Sequence, residues 1–150
     1  MVSRAAEARL QQPVFLWEGA VTNSNGTASN SARRMLIVED ERDLCECLQE
    51  FFESRGFSIR VVYSGEEALE CVARESPDVI LLDILLPGLS GLEVLKRVKQ
   101  SLPNTRIVMV TGLDGIELRA EARLYGAAAY ITKPYDFRDT TWSSVLANPT

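Results

Sequence analysis

The sequence predicts a doubly wound α/β domain: a parallel sheet of five strands with helices on both faces. Three observations predict it. Continuous apolar runs at Met35–Val38, Val79–Leu82 and Ile107–Val110 do not alternate with polar residues, which suits strands buried on both faces. Between them, apolar residues recur at helical spacing. Strand and helix signals alternate along the chain, and right-handed crossovers then wind the helices onto both sides of one sheet.

The elements follow in order. The first strand, Met35 to Val38, runs into Glu39-Asp40. Leu44, Leu48, Phe51 and Phe52 mark the first helix, which Gly56 closes. Ser58 to Val62 forms the second strand. Ser64-Gly65-Glu66-Glu67 is a capping box for a helix with Ala68, Leu69 and Val72 on one face. The third strand, Val79 to Leu82, ends at Asp83. Ser90-Gly91-Leu92-Glu93 is a second capping box, opening a helix with Leu92, Leu95, Val98 and Leu102 that Pro103 ends. The fourth strand ends at Thr111. Residues 114 to 125 read as a helix, Ala128 to Thr132 as the fifth strand, and a short last helix is expected from Asp136.

Residues 1–33 differ in composition. Gly19 to Ser31 is rich in Gly, Ser, Thr and Asn, so this part reads as a flexible extension, with at most a helical turn around Ala5 to Leu10. The domain then occupies residues 34–147, and 148–150 form a tail.

Bulk properties exclude several classes. With 150 residues, 46% hydrophobic and 25% charged, the chain is an ordinary single-domain globular protein. Its net charge of -5 and the absence of a basic stripe argue against direct nucleic-acid binding. There is no histidine, so histidine catalysis and ligation are excluded. Cys45, Cys47 and Cys71 match no zinc spacing and read as reduced thiols of a cytoplasmic protein. No apolar run approaches the ~18 residues of a membrane span, and Val14-Phe15-Leu16-Trp17 is too short for a signal peptide. The Asn25-Gly26-Thr27 sequon carries no meaning in that compartment.

The chemistry lies at the strand ends. In a doubly wound sheet, ligands bind outside the carboxyl ends of the strands. Here these ends carry Glu39, Asp40, Asp83, Thr111 and Lys133, so three carboxylates, a hydroxyl and an ammonium converge on one edge. Two like charges 4 Å apart repel by ~4 kcal/mol near a protein surface, so such a cluster calls for cations. Lys133 supplies one. An all-oxygen site suits Mg²⁺ better than zinc. A carboxylate beside Mg²⁺ can take a phosphoryl group as aspartyl phosphate.

These motifs resemble the receiver domain of response regulators. The matching segments are Leu36-Ile37-Val38-Glu39-Asp40-Glu41, Leu82-Asp83-Ile84-Leu85-Leu86-Pro87-Gly88, Gly91-Leu92-Glu93, Val110-Thr111-Gly112, and Gly126-Ala127 leading to Tyr130-Ile131-Thr132-Lys133-Pro134. They span about residues 34 to 137 in the family's order. The resemblance implies the flavodoxin-like strand order 2-1-3-4-5, which the doubly wound folds include. It implies that Asp83 accepts the phosphoryl group from a sensor histidine kinase or phosphotransfer protein. Glu39, Asp40, Asp83 and the backbone carbonyl of Leu85 would hold Mg²⁺. Lys133 and Thr111 would contact the phosphoryl oxygens, and Thr111 and Tyr130 would switch a surface on the fourth helix, fifth strand and fifth helix. That surface is also where a homodimer would form. The Lys133-Pro134 bond would be cis. Glu41 reads as a first-turn acid favoured by the helix dipole, and Gly88 and Gly91 as loop-shaping residues.

Two features depart from the family pattern. Leu85 and Leu113 are apolar, two residues after Asp83 and Thr111, where polar groups in relatives can orient a hydrolytic water. Slow loss of the phosphoryl group is expected. After Asp136-Phe137-Arg138 the chain reads Asp139-Thr140-Thr141-Trp142-Ser143-Ser144-Val145-Leu146, poor helix material that leaves the last helix open to fraying, truncation or swapping; the residues up to Thr150 are expected to be too few for a DNA-binding domain. Competing readings are a receiver-like adaptor without phosphotransfer, an aspartyl phosphatase and a flavodoxin-like cofactor binder. The phosphatase pattern needs a second acid where Leu85 stands, and no phosphate-cradling loop follows the first strand.

Overall fold

The computed structural model describes residues 32–147. The expected extension and its helical turn lie outside the described residues. Among the described residues five strands, β1 (Arg34–Val38), β2 (Ser58–Val62), β3 (Val79–Leu82), β4 (Arg106–Thr111) and β5 (Ala129–Thr132), alternate with five helices. These are α1 (Arg42–Glu53), α2 (Gly65–Arg74), α3 (Gly91–Ser101), α4 (Ile116–Leu124) and α5 (Ser143–Leu146). All strand pairs are parallel and the order is β2-β1-β3-β4-β5, as expected.

Burial explains the apolar runs. Every residue of β3 is buried, as are Met35–Val38 and Ile107–Thr111, because these strands occupy the sheet's centre. The edge strands β2 and β5 are partly exposed. Two cores result, one on each face. On one side Leu36, Ile80, Leu82, Ile107 and Met109 pack against Ala68 and Cys71 of α2, Val94, Leu95 and Val98 of α3, and Ala122 of α4. On the other, Met35, Ile37, Leu81, Val108 and Val110 meet Cys45, Leu48 and Phe52 of α1, with Trp142 and Val145 near the C-terminus.

Local signals set the helix ends. Gly56, with φ 91°, closes α1 in a left-handed turn. There the Phe57 amide donates to Phe52 O at 3.1 Å and the Gly56 amide to Glu53 O at 3.0 Å. The Phe52 and Phe57 rings stack edge-on 5.5 Å apart, the apolar contact that accompanies such turns. Ser64 accepts from the Glu67 amide at 3.2 Å, the forward half of the expected capping box. At α3, Ser90 instead accepts from the Leu92 amide at 3.2 Å, and Glu93 turns outward to Arg97 at 3.2 Å. The fork of Arg97 one turn on offers that carboxylate a charged partner.

The C-terminal expectation is corrected. No helix starts at Asp136; α5 starts at Ser143 and has four residues. The Asp136 side chain competes with helical pairing: it accepts from the Arg138 amide at 3.1 Å and from Thr141 Oγ1 at 2.5 Å. The short helix is held by contacts rather than by propensity. Trp142 is fully buried, and its Nε1 donates to Asp136 O at 2.8 Å. Its ring packs on Phe52 and Tyr135 at 5.3 and 5.0 Å. Arg33 Nη1 donates to Val145 O and Ala147 O at 3.2 and 3.1 Å, and Arg106 Nη1 to Ser144 O at 2.8 Å. Two guanidinium groups thus satisfy the carbonyls that a helix C-terminus leaves open.

One glycine is required by a close approach. A methyl group on Gly91 would lie 2.0 Å from the Asp83 carbonyl oxygen, so α3 can start beneath β3 only without a side chain there. Gly112, by contrast, has nothing within 4 Å of that position. Gly91→Ala should therefore destabilise the fold by about 1–3 kcal/mol, while Gly112→Ala should change stability by less than about 0.5 kcal/mol. Urea unfolding followed by circular dichroism measures both.

Candidate functional site

Strand register brings the sequence-predicted residues together. Val38 pairs with Leu82, so Glu39 and Asp83 leave the sheet side by side, and the Asp83 amide donates to Val38 O at 3.1 Å. Thr111 pairs with Thr132, so Lys133 leaves beside Thr111, and its amide donates to Thr111 O at 2.9 Å. The Lys133-Pro134 peptide bond is cis, as expected.

The Lys133 ammonium lies between two buried carboxylates. Its Nζ is 2.8 Å from Asp83 Oδ2 and 2.5 Å from Glu39 Oε1. Glu39 and Asp83 are only 3% and 4% exposed, so both charges depend on that cation. Burial alone would lower the Lys133 pKa, but the hydrogen bonds to Asp83 and Glu39 outweigh it and hold the ammonium above the usual lysine range. Glu39 moves the other way from most paired acids. Burial raises its pKa more than Lys133 and the Glu41 amide, which donates to Oε2 at 3.1 Å, bring it down.

Asp40 is exposed at the rim. Carboxylate oxygens of Glu39, Asp40 and Asp83 all lie within 4.8 Å of one another, an all-oxygen set able to hold a metal ion. Such hard donors fit Mg²⁺ or Ca²⁺ rather than a thiophilic metal. Asp83 Oδ1 accepts from the Leu85 amide at 3.0 Å. That bond aims the carboxylate, and the Leu85 side chain stands 58% exposed beside it.

Thr111 and Tyr130 meet at one residue. Thr111 is fully buried, and its Oγ1 accepts from the Leu113 amide at 3.4 Å. The Tyr130 hydroxyl donates to Leu113 O at 2.7 Å. The guanidinium of Arg119 stacks 4.8 Å from the Tyr130 ring centroid. Both side chains therefore grip the loop between β4 and α4.

Three neighbours escaped the sequence reading. Glu41 is the N-cap of α1 rather than a first-turn acid, and it reaches 3.8 Å from Lys133 besides binding Glu39 through its amide. Its place in the Glu39-Asp40-Glu41 run was the available signal. Cys45 Sγ donates to Glu39 O at 3.3 Å. Burial pushes this thiol up to about 12, so it stays protonated and able to donate. No motif marks it. Glu66 accepts from the Leu89 amide at 2.8 Å, across 23 residues, which local sequence does not reveal. All three cysteines are free thiols.

Comparison with known proteins agrees with this geometry. Residues 35–141 match the model of the response regulator receiver domain family. The chain is 34% identical over 103 residues to sporulation initiation phosphotransferase F of Bacillus subtilis, covering 69% of this chain and 83% of that protein. It is 37% identical over 105 residues to the uncharacterized transcriptional regulatory protein YkoG of the same organism, covering 70% of this chain and 46% of that one. The chain thus spans about half the length of such transcriptional relatives. Among solved structures, a CheY-like receiver domain protein from Methanospirillum hungatei superposes with a TM-score of 0.72 at 30% identity, covering 75% of this chain and 90% of that one. A response regulator from Burkholderia pseudomallei, solved with a phosphorylated aspartic acid, calcium ion and citrate, gives 0.68 at 26% identity, covering 73% and 65%. A fold, an ordered motif set and close relatives agree: the chain belongs to the response regulator receiver domain family, the phosphoacceptor modules of two-component signalling.

Proposed function

We propose that Asp83 is the phosphoacceptor and that the sheet edge around it carries out the transfer. The observation that carries this reading is the Lys133 ammonium bonded to Asp83 Oδ2 within a buried acidic cluster. In the transfer, an Asp83 carboxylate oxygen attacks phosphorus and the bond from phosphorus to the donor's imidazole nitrogen breaks, its electron pair staying on that nitrogen. Lys133 needs only a short movement to follow charge from the carboxylate onto a phosphoryl oxygen. Thr111 Oγ1 offers a hydrogen bond to another oxygen. The donor is a sensor histidine kinase or phosphotransfer protein.

Glu39, Asp40, Asp83 and the Leu85 carbonyl would hold Mg²⁺, whose charge would offset that of the phosphoryl oxygens. A neighbour of the same fold was solved with a phosphorylated aspartic acid and a calcium ion, which supports both chemistries in this reading. If Thr111 turns toward a phosphoryl oxygen, it gives up the Leu113 amide, and the loop that Tyr130 also holds is free to move. Such a local charge event biases a two-state element. The surface that reads it is α4 with β5, where Ile116 and Leu124 are 88% and 81% exposed. Homodimerisation through α4, β5 and α5 would use the same face, with the four-residue α5 contributing little.

No described helix is long and apolar enough to cross a membrane. We assign the chain to the cytoplasm on its free thiols, and its acidic charge argues against direct contact with nucleic acid. The domain division, with an extension over 1–33, the receiver over 34–147 and a tail, belongs to the same proposal.

Incubation with acetyl phosphate and Mg²⁺ should add one phosphoryl group, seen by intact-protein mass spectrometry. Asp83→Asn or chelation by EDTA should abolish the addition; labelling that survives Asp83→Asn would refute the assignment. The apolar side chains at Leu85 and Leu113 leave no polar group there to orient a hydrolytic water. The acyl phosphate should therefore outlast a time course of minutes, and Leu85→Asn should shorten its life severalfold. A lifetime of seconds in the unaltered protein would contradict this.

A further inference from the structure

We propose that Glu66, on the neighbouring helix α2, is a positioning residue for the metal site; this rests on the reading of Asp83 and the Leu85 carbonyl as metal ligands. Residues 85–90 carry the chain from Asp83 to α3. Their local bonds close between Asp83 and Gly91: the Leu85 amide donates to Asp83 Oδ1 at 3.0 Å, and the Leu86 and Gly91 amides donate to Ile84 O at 3.1 and 3.0 Å. Such bonds shape the loop without placing it against the rest of the fold. Glu66 Oε1 supplies the crossing tie by accepting from the Leu89 amide at 2.8 Å.

The surroundings of this bond are shaped to it. Gly88 has φ 76°, and a methyl group there would lie 2.7 Å from Glu66 Oε1. A methyl group on Gly65 would lie 2.8 Å from the Leu89 carbonyl oxygen. Two glycines, one on each side of the bond, therefore let α2 and the loop close on each other. Ser64 caps the same helix end through the Glu67 amide. A carboxylate accepting an amide makes a charge-assisted bond, roughly twice as strong as a neutral one. Glu66 acts through the loop: it fixes Leu89, and with it the course of the segment that carries the Leu85 carbonyl. Groups that orient ligands in this way commonly govern metal affinity by 10–100-fold when altered.

The test uses the full chain and Mg²⁺ alone as the probe. Dissociation constants from calorimetry and Leu89 amide exchange by NMR are compared for the unaltered protein, Glu66→Ala and Glu66→Gln. Acetyl phosphate labelling is run beside them across Mg²⁺ concentrations. Glu66→Ala should speed Leu89 exchange and weaken Mg²⁺ roughly tenfold. Its labelling rate at saturating Mg²⁺ should stay within about twofold. Glu66→Gln, which keeps an acceptor oxygen, should recover most of the affinity. Unchanged Mg²⁺ affinity in Glu66→Ala overturns the proposal, whether or not exchange accelerates. A loss confined to the saturated rate overturns it as well. If the unaltered protein binds Mg²⁺ but takes no label at Asp83, the phosphoacceptor reading fails, and the affinity comparison still decides the role of Glu66.

Discussion

A single ammonium group makes the site possible. Lys133 is the cation bonded to both Glu39 and Asp83, and all three side chains are largely withdrawn from water. Two buried carboxylates without it would face each other across a few ångströms of poorly screening protein. The sheet exists in its present register partly as the device that delivers these groups. β1 and β3 run in step to present Glu39 and Asp83, and β4 and β5 run in step to present Thr111 and Lys133. A slip of one residue in any of these pairings would turn a charged side chain toward a core face.

The two faces of the sheet do different work. On one, α2, α3 and α4 carry the loops that surround Asp83 and Leu113. On the other, α1 and an aromatic group around Trp142 complete the core. The short α5 means that this second face relies, besides α1, on rings and on two arginine caps rather than on a second long amphipathic helix. A signal passed through α4 and β5 would meet a last helix that is fixed to the far ends of β1 and β4, away from the phosphoacceptor edge.

Much of this was legible in the sequence because central strands and helix caps leave local marks. Val79–Leu82 reads as a doubly covered strand and is one; Ser64 and Gly56 announce helix ends and sit there. Asp83, Asp40 and Lys133 were found as residues following apolar runs, and parallel topology did the rest. What escaped depends on contacts between distant residues. Glu66 touches Leu89 only because α2 and the loop pack together, and the Cys45 thiol reaches back six residues to Glu39 O across the turn between β1 and α1. At the C-terminus the truncation that the sequence suggests is present, but the start differs for a physical reason: the Asp136 side chain captures the Arg138 amide and the Thr141 hydroxyl, so no helix forms before Ser143.

The dependence of the acidic pair on Lys133 can be read directly from one carboxyl group. Burial raises the Glu39 pKa and Lys133 opposes that rise, so removing the ammonium must raise it further. The measurement is an NMR titration of the Glu39 carboxyl carbon, without divalent metal, in the unaltered protein and in Lys133→Met. The account predicts a midpoint above the ordinary glutamate range that moves higher in the variant. A midpoint that stays put or falls would contradict it.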